Sequence, residues 1–354
     1  MSGVHTNSRV SNSFPKGCFS IRNMAYLFVA MSVITFVFLI FIRDPGLDDN
    51  PHARVSDMVY GKAHKPFVYR ALLPSIVRIA VSTIPERVKS AINDRFGHRI
   101  PLGLGWSPKY TTEYLVASAF MWLSLILFLV AIRYLFTGMY RASDNVANLV
   151  ALTAIAGLPV FFKYASYIYD FPALFLFTLG LGFMVRSKWV PFVILFPFAC
   201  VNKETAILLT MIFAIRFFHA KHRMSRTLFH KLLVYQICVF ASIKMALFYI
   251  FMANPGSFVE FHLFDHNMRM LLHPYPLGTF LNWGIVIALV FYRWSEKPSF
   301  LKSGIWIFVP LFLLTLLFGF LDELRDFYEV YPIVLLFCFQ SASSLLGLNL
   351  IRSE

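Results

Sequence analysis

Charge is scarce in this chain. Of 354 residues, 14% are Asp, Glu, Lys or Arg, whereas a soluble domain carries about 25%. That shortfall excludes an ordinary water-soluble globule. Cysteine is scarcer still. Cys18, Cys200, Cys238 and Cys338 are scattered, three of them inside or at the end of apolar runs, with no C-x-x-C pair and no His/Cys metal spacing. Small apolar packing residues are the expected role. Repeats, low-complexity tracts and a separable soluble domain are also missing, so residues 1–354 read as one integral membrane domain.

Apolar sequence is plentiful. The chain is 58% hydrophobic, with a mean hydropathy of +0.66. Apolar runs recur at about the 20 residues needed to cross a hydrocarbon core. They are continuous rather than alternating, which excludes a membrane β-barrel. The expected fold is an all-α, polytopic transmembrane helical bundle. The pattern predicts about ten crossings: Met24–Ile42, Tyr114–Leu135, Asn145–Phe162, Phe171–Val185, Trp189–Cys200, Thr205–Phe218, Leu232–Met252, Leu277–Tyr292, Gly304–Phe320 and Val330–Leu348. The pair broken by "VNKE" is short for two full crossings. It reads either as a re-entrant hairpin or as two short helices buried in the bundle.

The net charge of +14 does not point to nucleic acid, because the basic residues lie mostly in short loops between apolar runs. Residues 1–23 are polar and basic. The run that follows lacks a small-residue cleavage site, so it reads as an anchor. With that segment in the cytoplasm, the cytoplasmic loops carry Arg141, then Arg186 and Lys188, then Lys221, Arg223, Arg226 and Lys231, then Arg293, Lys297 and Lys302. The C-terminal tail, with Arg352, is on the same side. Residues 43–113 form a long extracytoplasmic loop, and 114–350 the remaining bundle. Within the loop, 71–100 has apolar residues at helical spacing, suited to lying in the headgroup layer or to packing on the bundle. A bacterial inner membrane is the expected location.

The polar clusters then gather on the extracytoplasmic side. Asp48 and Asp49 can act as a general base or hold a divalent cation beside a phosphate; a solvated turn is the plainer alternative. Tyr69 and Arg70 stand where the chain returns to apolar sequence, and a guanidinium there suits a phosphate. Asp170 heads an apolar run and reads as a helix cap. Asn202, Lys203 and Glu204 interrupt an apolar run, which is costly unless they line a cavity, reach water or pair internally. Asp265, His266 and Arg269 form a loop able to bind sugar or phosphate, or to act as a lid. In "DELRDFYE", a helical reading puts Glu323 and Asp326 on one face, with Arg325 between carboxylates.

These features resemble the GT-C glycosyltransferases. The stretch from Asp48 to "VYRALLP" is similar to the first outer loop of the GPI mannosyltransferase branch. "YDFPALFLFTLGLGF" with "FPFACVNKETAILL" is similar to that family's paired short helices. The chain also looks like bacterial membrane proteins of unassigned function. The resemblance implies transfer of a sugar from a polyprenyl-phosphate donor at the extracytoplasmic face. It assigns Asp49, with Asp48 beside it, as base on the acceptor or as metal holder. Arg70, Lys203 and Arg325 become the candidate phosphate ligands; Tyr69, Glu204, His266 and Glu323 are further candidate substrate-binding residues by their own positions in the polar clusters. The chain departs from the family in having Asp-Asp where Asp-Glu or two spaced Asp are usual, and in having no large soluble C-terminal domain. A transporter or lipid flippase, which would place polar residues through the membrane midplane, and a non-catalytic assembly factor are the alternatives.

Overall fold

The computed structural model describes residues 21–97, 104–219, 224–257, 259–348 and 350–353. The polar segment before Ile21, with Cys18, lies outside the described residues, as do Lys221 and Arg223.

The first helix, α1 (Ile21–Phe41), runs on through a wide turn to Gly46, where Pro45 removes a backbone donor. The loop after it holds α2 (Val55–Val59), α3 (Leu72–Thr83) and α4 (Glu86–Phe96). The amphipathic stretch is therefore two helices, broken at Pro85. Leu73, Val77 and Val81 bury one face of α3 against the bundle, while Ile76 and Ile79 stay exposed. Next come α5 (Thr111–Met139), α6 (Asp144–Ala156), α7 (Asp170–Val185), α8 (Trp189–Asn202), α9 (Ile207–His219) and α10 (Arg226–Ile250). The chain closes with α11 (Met268–Leu272), α12 (Leu277–Phe291), α13 (Ser299–Gly304), α14 (Phe308–Phe318) and α15 (Tyr331–Leu345). Ser143 and Ser225 cap α6 and α10 by accepting the N–H groups of Val146 and Leu228.

Every apolar run of the sequence contains a helix. Among the described residues, five stretches are long and apolar enough to cross a membrane: Ile21–Gly46, Pro108–Met139, Asp144–Phe161, Arg226–Ile250 and Ser299–Phe318. A sixth, Leu263–Leu272 with Leu277–Phe291, is bent by 96°. Helices α7, α8 and α15 are apolar but shorter.

Helices α5 and α7 form the most extensive pair. Gly182 permits the approach: a Cβ there would meet the Tyr134 ring at 2.7 Å. Gly182→Val is expected to cost about 1–3 kcal/mol through overpacking, read as a lower unfolding temperature in detergent.

The bundle has two chemically distinct ends. At one, Arg186 donates to Tyr134 O and Thr137 Oγ1, and buried Lys297 donates to Phe337 O and Ser341 Oγ. A short antiparallel clasp at that end pairs β1 (Tyr140–Arg141) with β2 (Ile351–Arg352). At the other end, the turns that follow α1, α8 and α14 meet the start of α7.

Candidate functional site

Four segments distant in sequence converge at this second end. The first is the turn Phe67–Tyr69, which delivers Arg70. The second is Tyr167–Asp170, at the start of α7. The third is Asn202–Thr205, the break between α8 and α9. The fourth is Glu323–Glu329, whose centre, Leu324–Phe327, is a 3-10 turn. The α-helical face expected for "DELRDFYE" is thus replaced by a tighter turn, and its charges are sorted by partners from other segments.

Arg70 forks onto Glu204, with Nη2–Oε1 at 2.5 Å and Nε–Oε2 at 3.3 Å, and donates to the Tyr169 hydroxyl. Phe67, Tyr167 and Tyr169 stack with successive centroids 5.2 Å apart. Arg325 lies 3.9 Å over the Tyr167 ring and Arg70 4.5 Å over the Tyr169 ring, so both guanidiniums contact the aromatic stack. Arg325 also pairs with Glu323 and stands 3.7 Å from Asp170 Oδ2. Lys203 pairs with Glu329 at 3.1 Å rather than with its neighbour Glu204, and the Thr205 hydroxyl donates to the same carboxylate. Asn202 donates to Tyr169 O, and Asn50 of the first loop donates to the Tyr167 hydroxyl.

The electrostatics follow from these contacts. Burial raises Glu204, but the Arg70 fork outweighs it and holds the carboxyl at about 2. Asp326 is pushed up to about 6, first by burial and then by the charge of Glu323, with Arg325 offsetting part of this. Glu329 Oε2 and Asn202 Oδ1 are buried acceptors without a hydrogen-bond partner. Both residues line a cavity of about 10 Å³ beside Lys203, roughly the room one hydroxyl needs.

The two adjacent aspartates part company. Asp48 is half-buried: Oδ1 accepts the Val55 N–H and Oδ2 the Tyr114 hydroxyl. Burial raises it, against the lowering effect of those two donors. Asp49 is exposed. Asp48 thus has both oxygens committed, and among the described residues no three His, Cys, Asp or Glu side chains converge as a metal site. The pair does not fit a divalent cation, and no step is assigned to one.

His266 lies in a neighbouring group rather than in the main cluster. Its Nε2 is 2.9 Å from Asp322 Oδ1, while Asp322 Oδ2 accepts from Lys163 and from the Tyr164 hydroxyl. Tyr69 is buried beside Arg70.

The structure thus brings together Arg70, Lys203, Glu204, Glu323 and Arg325, and sets Asp49 and His266 apart. Asp170 is a cluster member as well as the first residue of α7: its carboxylate accepts the Tyr167 N–H and faces Arg325. Glu329, Tyr167 and Tyr169 also belong to the site. The "YIYD" tetrapeptide ahead of an apolar run is the sequence signal for the two tyrosines, and "DELRDFYE" the one for Glu329. No family model, curated protein or solved structure matches the chain.

Proposed function

We propose that this chain is a polytopic membrane glycosyltransferase of the GT-C kind, which moves a sugar from a polyprenyl-phosphate donor to an acceptor at the extracytoplasmic face of a plasma membrane. The observation that carries this reading is the convergence of Arg70, Lys203 and Arg325 on one aromatic-lined site, next to the loop that holds Asn50. A guanidinium fork that holds a carboxylate has the geometry to hold a phosphate in its place. Glu204 is the partner placed for exchange, since its side chain is 43% exposed while that of Arg70 is 12% exposed. The two unpartnered acceptors beside Lys203 suit a ligand hydroxyl, and the aromatic stack suits a sugar face.

The test is equilibrium binding of undecaprenyl-phosphate-linked hexoses to purified protein. Arg70→Lys keeps the charge but loses the fork, and is expected to weaken binding about tenfold, or ~1.4 kcal/mol. Wild-type protein that binds none of these donors would remove the reading.

A transporter is the second reading. Asp326, half-buried and pushed up to about 6, is a group that could carry a proton, and proton-coupled uptake into proteoliposomes would favour that alternative.

A further inference from the structure

A transferase of this kind needs a base for the acceptor hydroxyl; most carboxylates near the site are committed, and that of Asp326 packs against Gly319. Asp48 spends both oxygens on Val55 and Tyr114. Glu204, Glu323 and Glu329 are held by Arg70, Arg325 and Lys203. Asp49 is exposed and makes no side-chain hydrogen bond among the described residues. The histidines divide in the same way. His52 and His64 spend their Nδ1 atoms on each other at 2.8 Å. His262 has one ring nitrogen 3.1 Å from Asp265 and the other 3.5 Å from Glu260. His273 has no orienting carboxylate among the described residues.

His266 differs from all of these. Its Nε2 faces Asp322 at 2.9 Å, and an Nε2–H donated to that carboxylate leaves Nδ1 as the acceptor of the neutral ring. Nδ1 has no hydrogen-bond partner among the described residues. The side chain is 31% exposed, while Asp322 is 12% exposed. Asp322 is itself fixed by Tyr164 and Lys163, which keep it an anion. Phe320 flanks the His266 ring at 4.5 Å. Asp322 also adjoins Glu323, the partner of Arg325, so one turn links the imidazole to the Arg325 cluster. Phe264 and Leu271 are exposed apolar side chains on the same elbow.

Resting on the transferase reading, we propose that His266 is the general base that deprotonates the hydroxyl of a membrane-borne acceptor, with Asp322 as its positioning residue. Nδ1 takes the hydroxyl proton as the oxygen bonds to the anomeric carbon. The bond from that carbon to the phosphate oxygen breaks, and its electron pair leaves with the polyprenyl phosphate beside the arginines. The proton then passes from the imidazolium to solvent.

The test uses full-length protein in nanodiscs, an undecaprenyl-phosphate-linked hexose as donor and octyl glucoside as acceptor. His266→Gln is expected to lower kcat about 10²–10³-fold with donor binding and donor KM unchanged. Added imidazole is expected to restore part of the rate in His266→Ala, and Asp322→Asn to lower kcat without weakening donor binding. If His266→Gln keeps more than a third of the wild-type rate, or imidazole rescues nothing, the assignment is overturned while the transferase reading stands. If wild type binds no donor, the reading itself fails and takes the base with it.

Discussion

Arg325→Met is expected to destabilise the protein by about 3–5 kcal/mol, because it strands the carboxylates of Glu323 and Asp170 without their cation. Both acids are buried, as is Arg325, so water cannot take the cation's place. Heating in detergent with a fluorescent thiol reagent that reports exposure of buried Cys200 would measure the loss. Adding Asp170→Asn to Arg325→Met should recover part of it, since one stranded charge is removed. A single variant within about 1 kcal/mol of wild type would mean that the carboxylates do not depend on Arg325.

Asp326→Asn is expected to act in the opposite direction. Asp326 is held at about 6, against an ordinary value of 3.8, mainly by burial and then by Glu323. Its protonated form therefore favours the folded state. That contribution is complete below pH 3.8 and is lost as pH rises through about 6. Above this range the ionised carboxylate weighs against folding, and asparagine removes the charge while keeping the shape. The variant should be more stable than wild type by about 1–3 kcal/mol near pH 8, with the gap closing near pH 4. A variant less stable than wild type at every pH would show that the carboxylate makes a contact worth more than its burial costs.

The helices were legible because each apolar run is long and uninterrupted. The ends of the helices were less so: α5 begins at Thr111, three residues before the apolar run, and residues 263–291 bend by 96° where a single crossing began only at Leu277. The residue types of the site could also be read, since Arg70, Lys203, Glu204, Glu323 and Arg325 all interrupt or border apolar sequence. Their pairing could not. Lys203 and Glu204 are adjacent yet take Glu329 and Arg70 as partners, 126 and 134 positions away. Such pairings depend on how helix ends meet, and no local pattern encodes that. Asp170 reads as a cap because it heads an apolar run, but Tyr169 holds the cap position with no side-chain cap bond; Asp170 is the first residue of α7, and its Oδ2 both accepts the Tyr167 N–H and faces Arg325, which only the packing of the fourth segment reveals.

Three of the site's helices also begin at or beside its carboxylates: α7 at Asp170, α9 just after Glu204, and α15 just after Glu329. Counted as formal charges, Asp170, Glu204, Glu323, Asp326 and Glu329 outnumber Arg70, Lys203 and Arg325 by two. Each helix start, however, presents the positive pole of its peptide dipoles, equivalent to about half a charge, or roughly one and a half in all. The backbone thereby cancels most of the acidic excess without any further side chain, and an approaching anion meets a surface close to electrically neutral.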